Sequence, residues 1–135
     1  MTTFAPTSLV RRALLADAVV SGITGALLAF TASIASPLFG LPAILLQSAG
    51  LFCVVYGAAL LWLSRTPALS PAVVRVVIAG NVLWVVASAG LMLLGSSSIT
   101  AAGLGFVGFQ AAVVAVLAEA QWMGLLRRPV PQTSN

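Results

Sequence analysis

The sequence has almost no charge and few side chains that could perform chemistry. Of its 135 residues only 6% are charged, lysine and histidine are absent, and there is a single cysteine, Cys53. Without histidine or lysine, the usual pairs of nucleophile and base cannot be assembled. One thiol also forms no internal disulfide and no zinc site. We therefore predict that the protein is not an enzyme and carries no cofactor and no metal.

Positive charge is too sparse for a nucleic-acid partner. The chain has six arginines and two acidic residues, Asp17 and Glu119, and the arginines form no basic run. Binding to phosphates needs several convergent cations, so no nucleic acid is expected as a partner. The lipid bilayer is the predicted partner instead, because 61% of the residues are hydrophobic and a soluble protein of this length could not cover so much apolar surface.

Four long apolar segments cover most of the chain, at about residues 9–35, 42–64, 72–95 and 100–126. Each exceeds the roughly 20 residues that a helix needs to cross a bilayer. The connections SPLFGLP, SRTPALSP and GSSSIT separate them, and no proline lies inside any segment. Strands are excluded because the segments lack alternating hydrophobicity. We predict an all-α polytopic membrane protein, with four transmembrane helices in an up-down-up-down bundle that forms one domain over residues 1–135.

The arginines predict the orientation. They lie before the first span, around the second connection and after the fourth span, as Arg11, Arg12, Arg65, Arg75, Arg127 and Arg128. Cytoplasmic flanks retain positive charge, so both termini are expected in the cytoplasm. Arginine without lysine, together with abundant alanine, indicates a bacterial inner membrane. A cleaved signal peptide is an alternative for the first span, although this apolar run is longer than the usual ~7–15 residues and contains an acidic residue.

A weak internal similarity suggests that one helical hairpin is duplicated. A shift of about 64 residues aligns the first span with the third and the second with the fourth, so that Arg11 falls on Arg75, Asp17 on Asn81 and Gln47 on Gln110. Two parallel hairpins related by a pseudo-two-fold axis are known among transporters. Chance similarity between hairpins of similar length explains the pattern equally well.

Ionisable side chains inside a span are the first candidates for a functional site, because they are costly in lipid. Asp17 and Glu119 both lie in the cytoplasmic halves of their spans, and Arg75 reaches a similar depth from the third span. We expect Asp17, Arg75, Asn81 and Glu119 to form an intramembrane polar cluster. It would be either a structural ion-pair cluster or a titratable ion site, and binding of lipid headgroups by the arginines is a third interpretation.

Small residues predict the faces through which the helices pack. On the fourth span Glu119 shares a helical face with Gly108, Ala112 and Ala115, and small residues let helices approach closely. We therefore expect this face to point into the bundle or into an oligomer contact. Gln47 and Gln110 are expected to make interhelical hydrogen bonds or oligomer contacts.

The segments RRALLADAVVSGITG, GNVLWVVAS and EAQWMGLLRR resemble those of small four-helix bacterial integral membrane proteins of unassigned function, and this resemblance implies the fold alone. The chain is also similar in size and helix number to the small multidrug resistance transporters, which carry one acidic residue in the first helix. Asp17 lies at a shallower position than their glutamate. The fluoride channels are similar in size, but their phenylalanine and TFST-like motifs are missing here, so no functional residue is transferred.

Two functions remain open. The favoured one is a non-catalytic membrane protein that serves as an accessory or assembly subunit of a membrane complex. The alternative is a small oligomeric transporter or channel with Asp17 and Glu119 as its titratable site. The alternative requires that at least one of these carboxylates faces water or a cavity, whereas a dry, closely packed bundle favours the accessory subunit.

Overall fold

The computed structural model describes residues 2–127, and the elements that these residues form are four α-helices without a β-strand. They are α1 (Ser8–Phe39), α2 (Ala43–Arg65), α3 (Pro71–Leu94) and α4 (Ala101–Leu126). Each helix is long and apolar enough to cross a membrane. The predicted all-α class and the four candidate spans are thus confirmed. Arg128 and most of the predicted C-terminal tail lie outside the described residues.

Side-chain acceptors set the start of three helices. Their hydroxyl oxygens accept a hydrogen bond from a backbone N–H of the first turn, namely Thr7 from Val10, Ser70 from Ala72 and Thr100 from Gly103. Such caps satisfy one of the N–H groups that have no partner within the helix. The predicted starts therefore agree with the structure to within one residue.

The end of α1 differs from the prediction, because Pro37 lies inside the helix. A proline lacks the N–H that would donate to the preceding turn, and the helix continues past this one for only two residues. The helix ends at Phe39 and is capped by Gly40, which has φ +65°, and the N–H groups of Gly40 and Leu41 both donate to the carbonyl of Ser36. Glycine adopts this left-handed conformation without strain. The first connection is consequently shorter than SPLFGLP.

Each end of the bundle is held by contacts between segments that are distant in sequence. At one end, Phe4 and Leu69 exchange two backbone hydrogen bonds of 2.8 and 2.9 Å, and the hydroxyl of Thr7 donates to the carbonyl of Gly124. At the other end, Thr100 donates from its backbone and its hydroxyl to carbonyls in the last turn of α1. The start of α1 therefore lies beside the α2–α3 connection and the end of α4.

The backbones of neighbouring helices do not all approach each other closely. Helix α1 packs against α2 and α4, and α3 packs against α4, but no Cα atoms of α2 and α3 approach within 8 Å. Helices α2 and α3 contact each other through side chains instead: the hydroxyl of Tyr56 donates to Asn81, and the ring of Phe52 stacks on that of Trp84. Duplicated hairpins with exact two-fold symmetry would pack α2 on α3 as α1 packs on α4, so the described packing lacks that symmetry.

Glycines bring the backbones of α1 and α2 into close contact. A Cβ atom at Gly25 would lie 2.6 Å from the carbonyl oxygen of Gly50, and one at Gly57 would lie 2.9 Å from the carbonyl oxygen of Ala18. Contacts of this kind allow dispersion forces between the two backbones, which drive helix association where lipid removes the hydrophobic effect. Helix α1 is thereby fixed against α2 along its middle.

Candidate functional site

Polar residues occupy a layer between two clusters of buried apolar side chains. One cluster includes Leu14, Leu60 and Val74, and the other includes Leu28, Leu46 and Val107. Beside the first cluster lie Asp17, Asn81 and Gln121, which are only 1%, 3% and 0% exposed. Fully buried polar groups are costly unless they are hydrogen-bonded, so their partners define the site.

The carboxylate of Asp17 is the centre of a hydrogen-bond network. Asn81 donates from Nδ2 at 2.7 Å, Gln121 donates from Nε2 at 2.8 Å, and Ser21 donates from its hydroxyl at 3.2 Å. Asn81 also donates to Oε1 of Gln121 at 3.2 Å, which closes a triangle between α1, α3 and α4. Three donors that converge on one carboxyl group stabilise a buried negative charge.

Helix α2 joins this network through Tyr56. Its hydroxyl donates to Oδ1 of Asn81 at 2.8 Å, so the same asparagine binds both Tyr56 and Asp17. Each of the four helices contributes at least one side chain to the network. Because a polar group without a partner is unfavourable in the membrane, such a network specifies how the helices are arranged.

A second polar contact joins α3 to α4. The indole N–H of Trp84 donates to Oε1 of Gln110 at 2.7 Å, and Nε2 of Gln110 donates to the hydroxyl of Ser88 at 3.0 Å. Gln110 therefore makes the interhelical hydrogen bond that was one of its two predicted roles.

Replacing Gln110 with leucine is expected to destabilise the protein by about 1 kcal/mol, because the buried hydroxyl of Ser88 and the indole of Trp84 each lose a partner. The measurement is the free energy of unfolding in mixed micelles. The same substitution in a Trp84→Phe, Ser88→Ala background should cost less, since both partner groups are then already absent. An equal cost in the two backgrounds would contradict this role.

A cavity of about 70 Å³ lies between the two polar contacts. All four helices line it, and its polar wall is formed by Ser21, Thr24, Tyr56, Asn81, Trp84 and Gln110. The wall also contains Phe52 and Gly80, which are exposed, and this places its opening at the gap between α2 and α3. Phe52 stacks on Tyr56 and on Trp84 with ring centroids 5.9 and 6.0 Å apart. Aromatic side chains thus bridge the gap where the two backbones do not meet.

The expected cluster of four residues does not form. Asp17 and Asn81 are hydrogen-bonded, but Arg75 and Glu119 are exposed and make no ion pair or hydrogen bond with residues 2–127. On α4 the inward position is Gln121, and two residues along a helix correspond to a rotation of about 200°. Glu119 consequently points away from Asp17.

The small-residue face of α4, which was expected to point into the bundle or into an oligomer contact, points away from the bundle interior. Ala112 and Glu119 are exposed, and Gly108 and Ala115 are half-buried. The buried face instead includes Gly103, Val107, Ala111, Ala118 and Gln121. Small residues occur on both faces, and lipid accepts apolar side chains as readily as the helix interface does, so composition did not distinguish the two faces. Gln47 is also exposed, on α2.

Gln121 is the site residue that sequence reasoning missed. It is fully buried and contacts both Asp17 and Asn81. A signal was present, because Gln110 and Gln121 are separated by about three turns of ~3.6 residues and therefore share one helical face. Two amides on one face of an apolar helix indicate the face that packs inward.

The chain matches no protein-family model, and comparisons with curated proteins and with solved structures find no similar protein. Its function must therefore be inferred from the polar network, the cavity and the exposed charged residues.

Proposed function

We propose that this is a non-catalytic integral membrane protein that crosses a bacterial inner membrane four times, up-down-up-down, with both termini in the cytoplasm. The arrangement is supported by the contact between the start of α1 and the end of α4, which brings both ends of the described chain to one side. It is also supported by arginines at the ends of three helices on that side, namely Arg11, Arg65 and Arg127. Cytoplasmic flanks of membrane spans are enriched in such residues.

The position of Glu119 carries the proposed function. Its side chain is exposed and lies in a groove of about 450 Å³ between α3 and α4, whose walls include Ile78, Val82, Val86, Ala115 and Trp122. It lies about 10 Å along α4 from the end of the helix. A carboxylate among lipid-facing apolar side chains is costly unless a cation reaches it. We propose that the protein assembles through this face with a second copy of itself.

Arg75 provides the complementary charge. It is exposed and lies two helical turns before Val82, so it shares the face of α3 on which Val82 lines the groove. Arg75 is about 6 Å along α3 from the same end of the bundle, so its long side chain covers the difference in depth from Glu119. A two-fold axis along the membrane normal would place Arg75 of each copy beside Glu119 of the other. Such an interface forms two equivalent ion pairs.

The outward face of α4 also permits close approach of another helix. From Glu119 toward the start of α4 this face carries Ala115, Ala112, Gly108 and Gly105 at helical spacing, and a Cβ atom at Gly105 would meet no atom within 4 Å. Small residues at this spacing are typical of membrane helix interfaces. The apolar contact and the ion pairs therefore support the same surface.

Charge reversal tests this interface. Glu119→Arg and Arg75→Glu should each reduce self-association by about tenfold, which corresponds to ~1.4 kcal/mol, because each places like charges together. The double variant should restore association, since its ion pairs are re-formed with the charges exchanged. The measurement is the fraction of dimers in lipid vesicles, counted by single-molecule photobleaching at a fixed ratio of protein to lipid.

A phenylalanine introduced on the proposed interface can be compared with one introduced on the opposite helix as a matched control. Ala112→Phe should block close approach, whereas Val55→Phe, on an exposed position of α2, should leave the dimer fraction unchanged. Unchanged association in both charge-reversal variants would contradict the interface. The tagged protein can also be purified from its own membranes and examined by native mass spectrometry. A single copy bound stoichiometrically to other proteins would contradict the dimer and show an accessory subunit of a larger complex.

A small transporter or channel is the second candidate, and the buried Asp17 near a cavity at mid-helix depth favours it. Glu119 does not belong to such a site because it faces away from Asp17. The test is proton flux into vesicles that contain a pH-sensitive dye. Flux that requires the reconstituted protein and disappears in Asp17→Asn would support this function, and the absence of flux would exclude proton transport.

A further inference from the structure

We propose that the cavity near Asp17 binds a small organic ammonium ion. The charged nitrogen lies against the hydroxyls of Ser21, Thr24 and Tyr56, and the alkyl group extends into the gap between α2 and α3. This inference concerns the interior of one copy and does not depend on assembly through the α3/α4 face.

The first argument is electrostatic. Asp17 is 1% exposed, and its described partners Asn81, Gln121 and Ser21 are all neutral. It forms no ion pair with residues 2–127. Neutral donors lower the cost of a buried carboxylate but do not balance its charge, and charges inside a membrane usually pair. A cation near Asp17 supplies that balance.

The hydrogen-bond directions around the cavity also select a cation. Both amide hydrogens of Asn81 and of Gln110 are donated within the protein, as is the indole hydrogen of Trp84. The hydroxyl of Ser21 donates to Asp17 and the hydroxyl of Tyr56 donates to Asn81, so both oxygens keep lone pairs for a ligand. The wall thus offers acceptors and has no free amide or indole N–H, which suits a donor such as an ammonium group.

Thr24 adds a third acceptor. Its hydroxyl lines the cavity and makes no hydrogen bond with any residue that the structure describes. Ser21 lies between this cavity and Asp17, because it lines the cavity and its hydroxyl donates to the carboxylate of Asp17. An ammonium nitrogen bound at Ser21 is therefore one hydroxyl away from the carboxylate.

The apolar part of the wall distinguishes an organic from an inorganic cation. The cavity offers three hydroxyl oxygens, whereas hard metal ions prefer about six or more oxygen ligands. The rings of Phe52, Tyr56 and Trp84 supply aromatic surface instead, and cations are attracted to such faces within about 6 Å. The site therefore combines a nearby charge with aromatic surface, as sites for organic ammonium ions do.

Size and access limit the ligand. A cavity of about 70 Å³ is smaller than the ~150 Å³ cavity that accommodates benzene, so it holds a head group close to methylammonium in size. The alkyl group has room at Gly80, where a Cβ atom would meet only the hydroxyl oxygen of Tyr56, at 3.9 Å. A primary alkylammonium of a few carbons fits both parts.

The test uses the full-length protein in lipid nanodiscs with Trp62→Phe and Trp122→Phe, so that Trp84 is its single tryptophan. Butylammonium is titrated against its fluorescence, with 1-butanol and butyrate as neutral and anionic probes of the same length. We expect saturable binding of butylammonium at least tenfold tighter than that of 1-butanol, and no saturable binding of butyrate. Asp17→Asn should weaken butylammonium binding at least tenfold.

Two further variants keep the test decisive if Asp17→Asn does not fold. Gly80→Leu fills the space for the alkyl group, where its Cβ atom would lie in ordinary van der Waals contact with the hydroxyl of Tyr56, and it should abolish binding. Thr24→Val should weaken binding severalfold, whereas Thr31→Val, which removes a hydroxyl bonded to the carbonyl of Leu27 outside the cavity, should not. Equal binding of butylammonium and 1-butanol, no saturable binding, or unchanged binding in Gly80→Leu would each overturn the proposal.

Discussion

Asn81→Leu is expected to lower the free energy of unfolding by about 2–4 kcal/mol, a large effect for one hydrogen-bonding residue in a membrane protein. The substitution removes a donor to Asp17 and the acceptor for Tyr56, and both partners are left inside the bundle. The loss exceeds that of an ordinary interhelical hydrogen bond because one partner is a carboxyl group. The measurement is unfolding by dodecyl sulfate in mixed micelles, followed by near-ultraviolet circular dichroism.

Gln47→Leu is the matched control for Asn81→Leu. Gln47 also carries an amide side chain on an apolar helix, but this side chain is exposed and makes no hydrogen bond within the described chain. Its replacement should change the free energy of unfolding by less than about 0.5 kcal/mol. Equal losses at the two positions would show that the buried network does not stabilise the fold.

Gly25→Ala is expected to cost about 3 kcal/mol through packing alone. The added Cβ atom would lie 2.6 Å from the carbonyl oxygen of Gly50 and 2.7 Å from Cβ of Cys53. The carbonyl belongs to the backbone of α2 and cannot rotate aside as a side chain can. The two helices must therefore separate where they are closest, and the same unfolding experiment measures the cost.

Gly22→Ala controls for the general effect of alanine in α1. Gly22 lies one turn before Gly25, and its added Cβ atom would meet no atom within 4 Å. Alanine has the higher helix propensity, so this variant should be neutral or up to about 1 kcal/mol more stable. If both alanine variants had the same free energy of unfolding, the close α1–α2 contact at Gly25 would not contribute to stability.

The helices could be predicted because each depends on local chemistry. A long apolar segment in a bilayer must satisfy its own backbone hydrogen bonds, and only a helix does so within one segment. Thr7, Ser70 and Thr100 cap the helix starts from within a few residues. The error at Pro37 has the same local origin, because the actual stop signal is the left-handed conformation of Gly40 a few residues later.

The partners of Asp17 were predicted only in part, because they depend on the rotation of each helix about its axis. Asp17 and Asn81 were expected to be near each other, and they are hydrogen-bonded. The other two expected members, Arg75 and Glu119, lie on the exposed face, and Gln121 takes the inward position. Apolar residues occur on every side of α4, so its hydrophobic pattern does not define this rotation, and the one available signal was the shared face of Gln110 and Gln121.

The sequence by itself therefore determined the all-α class, the number of apolar helices, their limits other than the end of α1, and the scarcity of catalytic groups, because these follow from composition and from contacts within a few residues. Only the tertiary structure decided that the backbones of α2 and α3 stay apart, that a cavity lies near Asp17 and that Glu119 faces outward. In a bilayer, apolar side chains are equally well accommodated on either face of a helix. The rotation of each helix is then selected by backbone contacts at glycine and by a few polar side chains that must find one another across helices.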